Sequence, residues 1–290
     1  MLGDTPQLFV SRVDGSDWRQ LTAREDGIAE ATLSGDGNVA FAITGDGSIL
    51  RIEAETGLTK ALVGPTPVVS YVWPTTPGSL TRLSGRRLAD STVTIGGMAA
   101  LIVRHSAEEI VFQIPWEVPP SANTITLPEG GNPYFEVAAP IVLSAFAPSS
   151  FPLGPRSPTG YIPVAIHADF KSLVTEENPA RPGELVHLYL AGGGPVTVPV
   201  ATGMPNPIEP LSRITTQISV VGDLWTPLEV PFIGLAPGLI GLWQMDVYVP
   251  TEWHRTRLNI QIQFYHPPPN SYGESRNLES IPVLPSGSRH

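Results

Sequence analysis

The sequence predicts an all-β chain: two tandem immunoglobulin-like (Ig-like) β-sandwich modules preceded by an incomplete β-propeller segment. Three observations carry this expectation. A strand pattern is stated twice in the same order, once in residues 77–115 and again in residues 182–250. Apolar and polar side chains alternate with period two in both copies, the mark of sheets that bury one face. Gly 28 and Pro 32 punctuate the chain without a Gly-X-Y period, which is the composition of turn-rich β structure.

Residues 1–64 open with Gln7-Leu8-Phe9-Val10-Ser11-Arg12-Val13, a strand, and Asp14-Gly15-Ser16-Asp17, a hairpin turn. Trp18–Thr22 returns, and Ala31–Phe41 and Asp46–Ile52 continue the strand-turn-strand rhythm. A closed propeller needs about four blades, and this segment supplies about one and a half. The expectation is therefore either a tail of a longer propeller, with blades missing on its N-terminal side, or a segment that packs on something else. Residues 65–76, rich in proline, read as a semi-rigid linker.

The first sandwich module is placed at 77–140 and the second at 141–284, with 285–290 as a tail. In the first, Ile110, Phe112 and Ile114 share one face and Val111 and Gln113 the other. In the second, Met245, Val247 and Val249 point inward, and Asp246 and Tyr248 outward. The opening strands agree: Leu83 and Leu188 fall on one face, Arg82 and His187 on the opposite one. Leu258–Phe264 alternates most cleanly of all, and each module is expected to end in a strand after a turn, Tyr134–Val137 and Leu278–Val283. The Pro267-Pro268-Pro269 run is then a loop inside the second module.

Composition removes several function classes. The net charge is -10 and no basic stripe offsets it, so nucleic acid is not an expected partner. Charged residues are only 15%, and of 17 basic residues only Lys60 and Lys171 are lysines. With Cys 0, disulfides, thiolate metal sites and cysteine nucleophiles are excluded. No window of about 18 apolar residues provides a membrane span. The N-terminus, Met1-Leu2-Gly3-Asp4, has no secretory signal pattern, so either the protein is cytosolic or an export signal lies outside this chain.

Two resemblances follow from these residues. The "VDGSDWRQLT" and "LSGDGNVAF" strings resemble the TolB-type propeller repeat. Residues 77–284 resemble the Solibacter-type C-terminal domain of large secreted acidobacterial proteins, whose first half is similar to IPT/TIG Ig-like domains. The strings that carry it are "VTIGGMAALIV", "IVFQIPWEVPP", "ENPARPGELVHLYLAGGGPV", "PVATGMPNP" and "GLAPGLIGLWQMDVYVP". Asp169-Phe170 stands where that family has an Asp-Gly turn. The resemblance implies an extracellular or cell-surface protein and assigns no activity.

The residues themselves offer no convergent polar site. No Gly-x-Ser-x-Gly elbow, P-loop, Gly-x-Gly-x-x-Gly or His-Glu-x-x-His is present. His167, His187 and Asp169 could meet as a metal site, but solvated sheet-face histidines are the simpler reading, and no metal or cofactor is expected. The adjacent pairs Glu108-Glu109 and Glu176-Glu177 point to opposite sides and do not face one another across a cleft. Asp14-Gly15-Ser16 and Asp36-Gly37-Asn38 could offer oxygens to Ca²⁺, though hairpin turns use the same residues. Gly192-Gly193-Gly194-Pro195 could cradle an anion, or form a wide turn.

Aromatic side chains are the remaining candidates. Trp116 and Trp253 sit at corresponding module ends, and Trp225 is expected to point outward. Exposed at a sandwich end, they could stack on sugar rings or on a protein partner. Capping the core or filling the module interface is the more ordinary fate of such side chains. The expected role is a non-catalytic exported or cell-surface module for adhesion, spacing, or protein or glycan binding. The alternative is an accessory carbohydrate-binding domain of a larger degradative enzyme.

Overall fold

The structure, a computed structural model, describes residues 5–63, 68–89, 91–119, 121–129, 132–153, 161–265 and 273–287. The chain forms two compact units, Met1–Val68 and Val69–His290. It is all-β; among the described residues the one helical turn is a 3₁₀ segment, Asp223–Trp225.

In the first unit, β1 (Phe9–Val10) and β2 (Arg19–Gln20) form a short hairpin. β3 (Ile28–Leu33), β4 (Val39–Thr44), β5 (Ile49–Glu53) and β6 (Thr59–Val63) form a four-stranded antiparallel meander. Alternation decides which face is buried. Ala40, Ala42, Leu50 and Ile52 pack with Ile28, Leu8 and Leu21 on one side. Phe41 and Ile43 stay half-exposed on the other, opposite Arg51 and Ile49 in register.

The second unit holds two sandwiches. The first pairs two sheets. One has the order β11-β12-β8-β7, from β7 (Val68–Trp73), β8 (Leu80–Arg86), β11 (Leu101–His105) and β12 (Glu109–Gln113). The other has the order β10-β9-β13-β14, from β9 (Thr94–Ile95), β10 (Met98–Ala99), β13 (Thr124–Glu129) and β14 (Asn132–Pro140). Leu83, Ile110 and Phe112 from one sheet meet Ile95, Ile125 and Leu127 from the other, each fully buried.

The second sandwich combines β15 (Ser149–Ser150), β16 (Ala165–His167), β17 (Leu185–Ala191), β19 (Phe232–Leu235) and β20 (Trp243–Tyr248) in one sheet. Its partner is built from β18 (Ile218–Val221), β21 (Arg257–Tyr265) and β22 (Gly273–Pro282). Val186, Leu188, Leu190, Met245, Val247, Leu258, Ile260 and Ile262 fill the space between. The inward sets expected from period-two alternation are the ones buried.

One boundary needs correction. The stretch 65–76 is not a linker throughout: Val68–Trp73 is a strand on the edge of the first sandwich, and Val69 and Val72 pack on its core. Flanking prolines masked a run, Val-Val-Ser-Tyr-Val-Trp, whose β-branched and aromatic content is that of a strand. The turn expected before Tyr134–Val137, at Gly130-Gly131, and the Pro267-Pro268-Pro269 loop lie outside the described residues.

The two sandwiches are joined by specific contacts. Gln113, held within the first sandwich by donating its Nε2 to the Gly78 carbonyl at 2.9 Å, reaches across with its Oε1 to accept from Gly203 N at 2.9 Å. Leu80 N donates to Gly241 O at 2.8 Å, and Gly192 N to Ser79 Oγ at 2.6 Å. The Trp116 ring lies 5.7 Å from that of Trp243, which is fully buried.

Candidate functional site

The three tryptophans singled out in the sequence have different fates. Trp253 is buried at 7% exposure, and its Nε1 donates to Arg257 O at 3.2 Å. Trp116 is half-buried: it packs on the second core, and its backbone N donates to Thr202 Oγ1 at 2.9 Å. Both do what large apolar rings do at a module end, sealing a core and filling a junction. Trp225 alone presents its ring, 66% exposed beside Leu224 at 82%. A shared platform of these three side chains is therefore not formed.

The register also separates the histidines. Ile166 pairs with His187 and His167 with Val186, so the two imidazoles leave opposite faces of the sheet. His167 lies 2.6 Å from Glu184 Oε1 and 3.1 Å from Asn178 O. His187 lies 2.7 Å from Asp246 Oδ1, beneath the Phe170 ring at 3.8 Å. It is 4% exposed, so the expectation of a solvated histidine fails there. No group of three metal-binding side chains occurs among the described residues.

The aspartate turns and the glycine run explain themselves locally. Asp36 Oδ1 accepts from Ser34 Oγ and Asn38 N, which holds its carboxyl down at about 2. Asp46 Oδ1 accepts from Thr44 Oγ1 and Ser48 N. Partial burial pushes its carboxyl up, but these bonds and the Arg24 charge prevail and leave it at about 2. In the glycine run, a Cβ on Gly193 would sit 2.1 Å from the Trp243 ring, and one on Gly192 2.0 Å from Ala147 O. Close packing, and not an anion, requires these glycines.

The site that sequence reasoning missed is a cleft of about 680 Å³ between the two sandwiches. Its floor is the outer face of the β11-β12-β8-β7 sheet, and its far wall comes from β15, the following Phe151-Pro152, and β22. Tyr71 and Trp73 stand two residues apart on β7 and so share a face. Tyr71 is 57% exposed, and Tyr161 joins it in the lining.

Register then sets a polar row across three strands: Arg104 opposite Val111, and Val111 opposite Arg82. Glu109, two residues along β12, bridges the pair. Arg82 Nε lies 3.0 Å from its Oε2, and Arg104 Nη2 bonds its Oε1. From the opposite wall, the Arg276 guanidinium sits 5.7 Å from the centre of the Trp73 ring. The size suits a ligand pocket, and the lining combines aromatic faces with planar polar groups.

A second hollow, about 510 Å³ and lined by His167, Arg181 and Glu184, offers less. Both His167 nitrogens and both Glu184 oxygens are already engaged inside the protein. Among the described residues no helix is long and apolar enough to cross a membrane.

No family profile and no curated protein matches this sequence. Solved structures with partial likeness include SGBP-B of the Bacteroides ovatus mixed-linkage glucan utilization locus, in complex with a heptasaccharide. There the identity is 11% and the TM-score 0.35, over 94% of this chain and 58% of that one. A γ-CGTase from alkalophilic Bacillus clarkii follows, with 15% identity and a TM-score of 0.25, over 84% of this chain and 30% of that one. The plexin A4 extracellular region has 7% identity and a TM-score of 0.26, over 90% and 26%. This chain thus spans less than two thirds of each. Likeness this loose fixes no ligand, and function must be argued from the site.

Proposed function

We propose that this protein is a non-catalytic, exported or cell-surface glycan-binding module, and that the cleft between its two sandwiches is the binding site. The observation that carries the reading is the pairing of Tyr71 and Trp73 with Arg82 and Arg104 on one concave face. The C–H faces of a sugar ring stack on aromatic rings, while its hydroxyls meet fixed planar polar groups. The cleft holds a ready-made set of both. The histidine–carboxylate pairs lie elsewhere, and among the described residues neither imidazole of these pairs is hydrogen-bonded to a serine hydroxyl.

The same cleft serves the narrower reading, an accessory carbohydrate-binding domain of a larger degradative enzyme. The proposal extends to affiliation: an acidobacterial Solibacter-type C-terminal domain with an IPT/TIG-like, Ig-like first half, following a partial TolB-like propeller. The four-stranded meander of the first unit supports the propeller component, as does its half-exposed apolar face at Phe41 and Ile43.

A glycan array read with the intact chain and with Tyr71→Ala and Trp225→Ala variants tests the site. Tyr71→Ala is expected to weaken the strongest signals about tenfold, the loss of one stacked ring. Trp225→Ala should leave them unchanged, and the bound oligosaccharide should be recovered uncleaved. Loss of binding on Trp225→Ala alone moves the site to that turn; cleavage of the oligosaccharide refutes the non-catalytic assignment.

A further inference from the structure

We infer that the cleft is selective for acidic polysaccharides, those whose sugars carry a carboxylate; the inference rests on the glycan-binding reading above. The chain as a whole repels anions, with a net charge of -10. The cleft departs from that background: Arg82 and Arg104 line it with one carboxylate, Glu109, between them, while Arg276 is paired with Glu274 and Glu279 is the lining carboxylate on the far wall.

Arg82 and Arg104 are only partly spent on their own protein. One carboxylate, Glu109, serves both Arg82 and Arg104, so the pair keeps one positive charge in excess. Arg82 uses its Nε and Arg104 one Nη, and their side chains remain 50% and 70% exposed. The other N–H groups of these two guanidiniums have no partner among the described residues.

Such a wall offers donors in a planar fork and few acceptors. A neutral sugar's hydroxyl oxygens accept from it, but the sugar's own O–H groups find few acceptors there. A uronate carboxylate matches it in charge and in bidentate geometry. Register holds Arg104 and Arg82 on either side of Val111, so the two forks flank an apolar strip on which a sugar ring can lie. The arginines are fixed by Glu109 before the ligand arrives, which lowers the ordering cost of binding.

The test compares polygalacturonate with the same polymer fully methyl-esterified, which keeps the sugar and removes the charge. Binding to the intact chain is measured by affinity electrophoresis and calorimetry. The charged polymer is expected to bind at least about tenfold tighter, as one charge-assisted bidentate contact provides. The ratio should collapse in Arg104→Gln and Arg82→Gln, and should shrink as NaCl rises from about 0.05 to about 0.5 M. Tyr71→Ala should weaken both polymers alike. Equal binding of the two polymers overturns the acidic selectivity and leaves the glycan site standing. Failure to bind either polymer or any array glycan overturns the glycan-binding reading itself.

Discussion

At the scale of single residues, this protein spends many of its polar side chains on turns. Asp14, Asp36 and Asp46 each accept from the backbone N–H two residues on, which fixes three hairpin turns of the first unit. The consequence is acid sensitivity. Asp36 and Asp46 fall from an ordinary 3.8 to about 2 on folding. A carboxyl with a lowered folded value stabilises fully above its unfolded value, and that contribution is lost as pH falls through the folded one. Melting of the intact chain should therefore drop between about pH 4 and pH 2. The Asp36→Asn/Asp46→Asn double variant should flatten that drop, measured by circular dichroism; an unchanged acid profile would show that these turns do not carry it. Glycines play the complementary part. Gly78, at φ +79, would place a Cβ 2.1 Å from the Trp116 ring, so the junction tolerates no side chain there.

At the scale of elements, one turn goes against its own chemistry. Asp223–Thr226 closes with Thr226 N donating to Asp223 O at 3.2 Å, and both central residues have positive φ. Asn-Gly is the usual occupant of such a turn; here Leu224 and Trp225 occupy it at φ 57 and 62. Each bulky residue in the left-handed region costs about 1–2 kcal/mol. Asp223 holds the turn in place by accepting from Asn259 N and Nδ2. Leu224→Asn/Trp225→Gly should accordingly stabilise the protein by about 0.5–1 kcal/mol once glycine's larger unfolded-state entropy is deducted. Chemical denaturation reads this directly, and a lower midpoint would contradict the strain assigned to the turn.

Elements also show what the sequence made legible. Period-two strands such as Ile110–Ile114, Met245–Val249 and Leu258–Phe264 announced their buried faces, because burial acts on each strand locally. β7 escaped because prolines at both ends outweighed its β-branched and aromatic content. Trp116 and Trp253 were visible as aromatics at module ends, but whether such a ring faces water depends on tertiary packing: Trp253 is closed into its own core, and Trp116 packs on the other module.

At the scale of the whole molecule, that last limit decides the candidate site. The cleft takes Tyr71 from a strand read as linker, Arg82 and Arg104 from two further strands, and Arg276 from the far end of the second sandwich. No local spacing joins these residues; the packing of one sandwich on the other does. The junction is held by Gln113 accepting from Gly203, by Ser79 and by the Trp116–Trp243 pair, so the cleft is set before any ligand arrives. Its preformed shape and its mix of rings and guanidiniums are the basis for assigning it to a glycan. Hydrogen–deuterium exchange of the intact chain, saturated with the tightest-binding oligosaccharide from the array, tests this most directly. The account predicts new protection in Val68–Trp73, Leu80–Arg86 and Gly273–Pro282, with residues 222–226 unchanged. Protection confined to residues 222–226, or to any surface away from the cleft, would contradict it.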